Sequence, residues 1–161
     1  MQERLAGLPA TTVRAKGPER APPALLLHGM GLGRWIYSRM QAQLAEEGIS
    51  SVAVDLPGHG EDALNNPPLD RAIDAATEAA RELAGCAVVG HSFGGYVGQV
   101  VTSRLGPPAL VLIASVPPPG VAYLPTRSGL AVVGRLLRSY ARRRPLASLD
   151  KREPTVRRGG R

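Results

Sequence analysis

Four short, unbroken apolar runs punctuate the chain: Ala24–Leu27, Ser51–Val54, Cys86–Val89 and Ala109–Ala114. None alternates polar with apolar residues, and Val, Leu and Ile dominate them. A strand with one wet face would alternate, so these runs suit strands covered on both faces, as in a parallel sheet. Helical periodicities separate them. Ile36, Met40 and Leu44 recur every fourth residue after Trp35, up to a stop at Gly48. Asp70 is expected to cap a helix reaching Ala84, with Ile73, Ala76, Ala80 and Leu83 along one face. Gly94 to Leu105 reads as a third helix, built of small residues. Strand and helix in alternation predict an α/β fold: a doubly wound, mostly parallel sheet with flanking helices and right-handed crossovers. With 161 residues there is room for one such domain.

After Pro119 the pattern changes. The expected division is an N-terminal segment (1–21), a core (22–119), a cap-like basic amphipathic helix (120–143) and a disordered basic tail (144–161). The helix is centred on Ser128–Ala141, with Leu130, Val133, Leu137 and Tyr140 on one side and arginines on the other. The sheet is expected to stop after its fourth parallel strand. Net charge is +7, but residues 1–120 hold 9 Lys+Arg against 11 Asp+Glu, whereas residues 121–161 hold 11 against 2. The basicity therefore belongs to the end of the chain. Tail arginines could meet phosphates, yet no aromatic interleaving or nucleic-acid motif accompanies them, so nucleic acid is not the expected partner. Contact of the Ser128–Ala141 helix with anionic lipid is a further reading of the same charge.

The charge-free stretch from Leu105 to Thr126 contains six prolines, which a lipid-spanning helix could not carry. No basic start followed by an apolar core opens the chain. A soluble, cytoplasmic protein is the expectation. One cysteine, Cys86, excludes an intrachain disulfide framework and reads as a buried inert thiol. No metal-ligand cluster and no phosphate-binding lysine loop is present, so neither metal nor cofactor is expected.

Three motifs carry chemistry. Gly90-His91-Ser92-Phe93-Gly94-Gly95 follows one apolar run and opens a helix. That is the G-x-S-x-G pattern in its strand–turn–helix context, with Ser92 on a sharp turn above a helix N-terminus that favours developing negative charge. Leu25-Leu26-Leu27-His28-Gly29-Met30-Gly31 is a strand running into a Gly-rich loop, a source of backbone N–H groups for an oxyanion. The same glycines admit a dinucleotide reading with Asp55 as ribose acid, but Arg34 stands where the third glycine of that fingerprint belongs. Asp55-Leu56-Pro57-Gly58-His59-Gly60 is by itself a Pro-Gly turn with a charged lead-in.

Taken together, these motifs over residues 22–119 resemble the α/β-hydrolase superfamily, most closely its serine esterase, lipase and peroxidase-like branch. The resemblance implies hydrolysis of an ester, thioester or amide through an acyl-serine, with a small-molecule acyl substrate. Ser92 would be the nucleophile, Phe93 and Met30 the oxyanion-hole N–H donors, and His28, Gly29, Trp35 and His91 would line the pocket. The family order is Ser, then acid, then His. Here all three histidines (28, 59 and 91) precede Ser92, and the acids after it, Asp150 and Glu153, lie in the basic tail. The resemblance thus covers an amino-terminal part with an incomplete triad, which implies weak turnover. A pocket-bearing protein without catalysis is the alternative, and self-association through an uncovered sheet edge is expected.

Overall fold

The computed structural model describes residues 3–62 and 67–115. The expected helix at 120–143 and the tail at 144–161 lie outside the described residues. Strands β1 (Arg4–Leu5), β2 (Leu8–Val13), β3 (Ala24–Leu27), β4 (Ser51–Val54), β5 (Ala87–His91) and β6 (Leu110–Ile113) form one sheet in the order β1-β2-β4-β3-β5-β6. β4, β3, β5 and β6 run parallel, and helices α1 (Ser38–Glu46), α2 (Leu69–Glu82) and α3 (Phe93–Leu105) connect them. A 3-10 turn, Arg34–Tyr37, leads into α1.

The unbroken apolar strands have the cause expected of them. On β3, Leu25 and Leu27 face one way and Leu26 the other, and all three have 0% exposure. Leu25 and Leu27 join Val52, Val54 and Val88 under α2 and α3, through Ile73, Ala76, Val97 and Val101. Leu26 joins Ala24, Ala53 and Val89 under Tyr37, Ile36, Met40 and Leu44 on the opposite face. Each leucine taken from water contributes about 1.5–3 kcal/mol of apolar transfer. Cys86 is buried as well, and that burial pushes its thiol pKa up. Among the described residues no helix is long and apolar enough to cross a membrane.

Two features differ from the sequence expectation. Helix α2 starts at Leu69 with Pro68 as N-cap, so Asp70 sits inside the first turn and caps nothing. Proline there presents a fixed φ and lacks an N–H, while Asp70 still complements the positive helix end. The second difference lies within residues 1–21. Ala6 and Gly7 take φ of +49° and +78°, turning β1 into β2, which pairs antiparallel with β4 through Ala10 to Val13. At the other end of the sheet, among the described residues, β6 is the edge, with Val111 47% exposed.

Candidate active site

The sharpest backbone feature stands at the carboxyl end of β5. Ser92 has φ +50° and ψ −113°, a conformation that side-chain-bearing residues adopt only when their surroundings impose it. Its N–H donates to the Ile113 carbonyl of β6 at 3.0 Å, and its carbonyl accepts from Gly95 and Tyr96 in the first turn of α3. Close packing supplies the rest. A β-carbon on Gly90 would lie 2.5 Å from the Gly94 carbonyl oxygen, and one on Gly94 would lie 2.5 Å from the His28 carbonyl oxygen. The three backbones of β3, the turn and α3 meet because neither position carries a side chain.

The loop after β3 closes on this turn. A β-carbon on Gly29 would stand 3.3 Å from the Ser92 β-carbon and 2.8 Å from His91 Nδ1. Gly29 and Ser92 are therefore neighbours, with Met30 next along the loop and 46% exposed. His91 Nδ1 is buried against that loop and has no hydrogen-bond partner among the described residues. Trp35, in the 3-10 turn, is 56% exposed. Tyr37 donates its hydroxyl to the Leu27 carbonyl at 2.8 Å, and burial pushes its pKa up.

His28 is not a pocket-lining group. It has 0% exposure, its Nε2 accepts the Leu56 N–H at 3.0 Å, and Nδ1 lies 2.8 Å from the Gly29 carbonyl. Those bonds fix the neutral tautomer with the proton on Nδ1. Its pKa falls from 6.5 to about 4, chiefly through burial and in smaller part through His59 and His91, against the hydrogen bond to Gly29 and the charge of Asp55. His59 stacks on the Phe93 ring, with centroids 5.9 Å apart, and its Nδ1 lies 3.0 Å from the Pro57 carbonyl.

Asp55 has a role the sequence alone did not expose. Its carboxylate, 1% exposed, takes the Arg34 N–H at 2.5 Å, the Arg34 guanidinium and the Glu61 N–H at 2.8 Å. With both oxygens so occupied, it cannot serve as the ribose acid of the dinucleotide reading. Arg34 also reaches Glu61 at 2.9 Å and Thr11 at 3.0 Å.

A model of the Alpha/beta hydrolase family matches residues 24–159. The chain belongs to that family. Among solved structures, it is similar to an esterase from Exiguobacterium antarcticum (18% identity, TM-score 0.64, covering 86% of this chain and 53% of that one). It is also similar to a monoacylglycerol lipase from Paleococcus ferrophilus (22%, TM-score 0.60, 81% and 50%). A third likeness is to the N-acyl homoserine lactonase AidH in complex with N-butanoyl homoserine (25%, TM-score 0.57, 67% and 41%). A search of curated proteins gave no match. This chain thus spans 41% to 53% of the length of these three hydrolases. For an alpha/beta hydrolase, the turn at Ser92 stands at the strand-to-helix junction where the G-x-S-x-G motif belongs.

Proposed function

We propose that the chain carries the nucleophile half of a serine hydrolase acting on esters, thioesters or amides, with Ser92 as the attacking residue. The observation that supports this reading most directly is the forced φ of +50° at Ser92 between β5 and α3. Ser92 Oγ would attack the acyl carbon, the bond to the leaving group would break, and the hydroxyl proton would end on that leaving group. Phe93 and Met30 are the N–H donors assigned to the oxyanion. Phe93 N–H is the first of α3, without an intrahelical acceptor, and Met30 follows Gly29 beside Ser92. Such donors are worth about 10²–10³ in rate each.

Turnover by this sequence is expected to be slow. Among the described residues no histidine hydrogen-bonds the Ser92 hydroxyl: His28 is committed to Leu56 and Gly29, and His59 Nδ1 to Pro57. In a related triad, loss of the histidine costs about 2 × 10⁶ in kcat. A strong electrophile needs less help. With a fluorophosphonate, the Oγ–P bond forms, the P–F bond breaks, fluoride leaves and the hydroxyl proton passes to solvent. Labelling should map to Ser92 and vanish in Ser92→Ala, while p-nitrophenyl acetate turnover stays far below the enzyme median of about 10 s⁻¹. Labelling unchanged in Ser92→Ala would remove the assignment. No labelling of the unaltered chain would favour a binding protein that keeps the pocket without the chemistry.

A further inference from the structure

Among the described residues the loop after β3 has no strand pairing, and its tie to the 3-10 turn that follows is the Ile36 N–H to the Gly33 carbonyl at 3.2 Å. Its internal tie is one long turn bond, Leu32 N–H to the Gly29 carbonyl at 3.2 Å, and Gly31 sits at φ +73°. What fixes it comes from the neighbouring loop after β4. At one end, His28 joins the Gly29 carbonyl to the Leu56 N–H. At the other, the Asp55 carboxylate holds Arg34 by both backbone and guanidinium, and holds Glu61 by its N–H. Met30 lies between the two ties.

We propose that Asp55 is a positioning residue, which holds the Met30 N–H at the oxyanion site by clamping the far end of its loop through Arg34. This rests on the assignment of Ser92 and Met30 given above. The carboxylate meets three sets of donors with two oxygens, and an amide in its place would turn an N–H₂ toward one of them. The socket admits no alternative. A β-carbon on Gly33 would stand 2.9 Å from Asp55 Oδ1, and one on Gly60 would run into the carboxylate itself. Once the carboxylate is lost, Glu61 still meets the Arg34 guanidinium at 2.9 Å, but the Arg34 and Glu61 backbone N–H groups lose the acceptor they share. A donor displaced by about 1 Å costs about 10²-fold in rate.

The test is saturation kinetics of fluorophosphonate labelling on the full chain, read by mass spectrometry at Ser92. Asp55→Asn should lower the maximal labelling rate about 10²-fold and leave the half-saturating probe concentration within about twofold, since the oxyanion forms only as the bond is made. Arg34→Lys keeps the charge and loses the fork, so it should fall between Asp55→Asn and the unaltered chain. It also serves if Asp55→Asn does not fold. Ile73→Ala, which opens the core under α2 and removes none of the hydrogen bonds that tie the two loops, controls for stability and should label at the unaltered rate below its melting point. A rate in Asp55→Asn and Arg34→Lys equal to the unaltered rate overturns the clamp while Ser92 remains the nucleophile. So does an equal fall in Ile73→Ala. Absence of labelling in the unaltered chain instead removes the Ser92 reading, and the clamp with it.

Discussion

The turn at Ser92 and the loop that closes over it are built by opposite means. Around Ser92 the structure is made of absences: no β-carbon at Gly90 or Gly94, so that β3, the turn and α3 touch backbone to backbone. The loop after β3 is made of presences, two buried polar side chains, His28 and Asp55, that hold it to the loop after β4. A packed backbone has one arrangement and tolerates no addition. A polar brace tolerates a change of shape but not the loss of an acceptor, because its donors are already out of water. The two regions should therefore fail differently.

Gly94→Ala is expected to have the largest effect. The added methyl meets the carbonyl oxygens of Leu27 and His28, and that of Leu27 cannot withdraw without unpairing β3. A cost of about 3 kcal/mol or more follows, with a melting temperature lower by about 10 °C and labelling at Ser92 abolished. Thermal unfolding and probe labelling check it. A variant that melts with the unaltered chain and still labels would show that the backbones are not in contact, and the contrast between the two regions would collapse.

How legible each region was follows from the same difference. Gly90, Ser92 and Gly94 stand within five residues, so their pattern is visible along the sequence and needs only a strand before it and a helix after it. Asp55 and Arg34 are 21 residues apart, and their pairing exists only once β3 and β4 lie side by side; in the sequence Arg34 registered merely as a missing glycine. His28 likewise reads as part of a His-Gly loop, and only its 0% exposure and two bonded nitrogens make it structural. The parallel strands begin and end within two residues of the apolar runs because burial leaves them almost without polar interruptions. Strand β2 was not legible in this way, since Leu8-Pro9-Ala10-Thr11-Thr12-Val13 carries a proline and two threonines, and only its first three residues are fully buried. Its strand character comes from pairing with β4, a tertiary cause.

The brace predicts a pH dependence that the turn at Ser92 does not. His28 titrates near 6.5 in the unfolded chain and at about 4 when folded. Between those values the unfolded chain binds more protons, so stability rises with pH there and is lost as pH falls from about 6.5 toward 4. The full span is worth on the order of 3 kcal/mol. Urea unfolding at pH 7, 5.5 and 4 should show this fall. In His28→Asn the slope should be markedly flatter, from a lower starting stability, because the Leu56 N–H loses its acceptor. An undiminished slope in the variant would assign the proton uptake elsewhere.

The smallest effect is expected at the side-chain hydrogen bond that the turn at Ser92 does possess. Ser115 donates its hydroxyl to the Ser92 carbonyl at 3.1 Å. If backbone packing and the bonds to Ile113, Gly95 and Tyr96 hold the turn, this contact is an accessory. The Ser92 carbonyl keeps two N–H donors without it, so Ser115→Ala leaves no acceptor stranded and should cost about 1 kcal/mol or less. Removing the whole side chain would also relieve the crowding that a side chain at residue 95 would meet, since a β-carbon on Gly95 would collide with both Ser115 Oγ and the Ser115 β-carbon. Gly95→Ala should accordingly be better tolerated in a Ser115→Gly background than alone, whereas Gly94→Ala should gain nothing there, because its obstacle is backbone. A double-mutant cycle on melting temperature, with labelling at Ser92 as the second readout, measures both couplings. Equal rescue of the two glycine variants would mean that Ser115, rather than the packed backbone, sets the geometry of the turn.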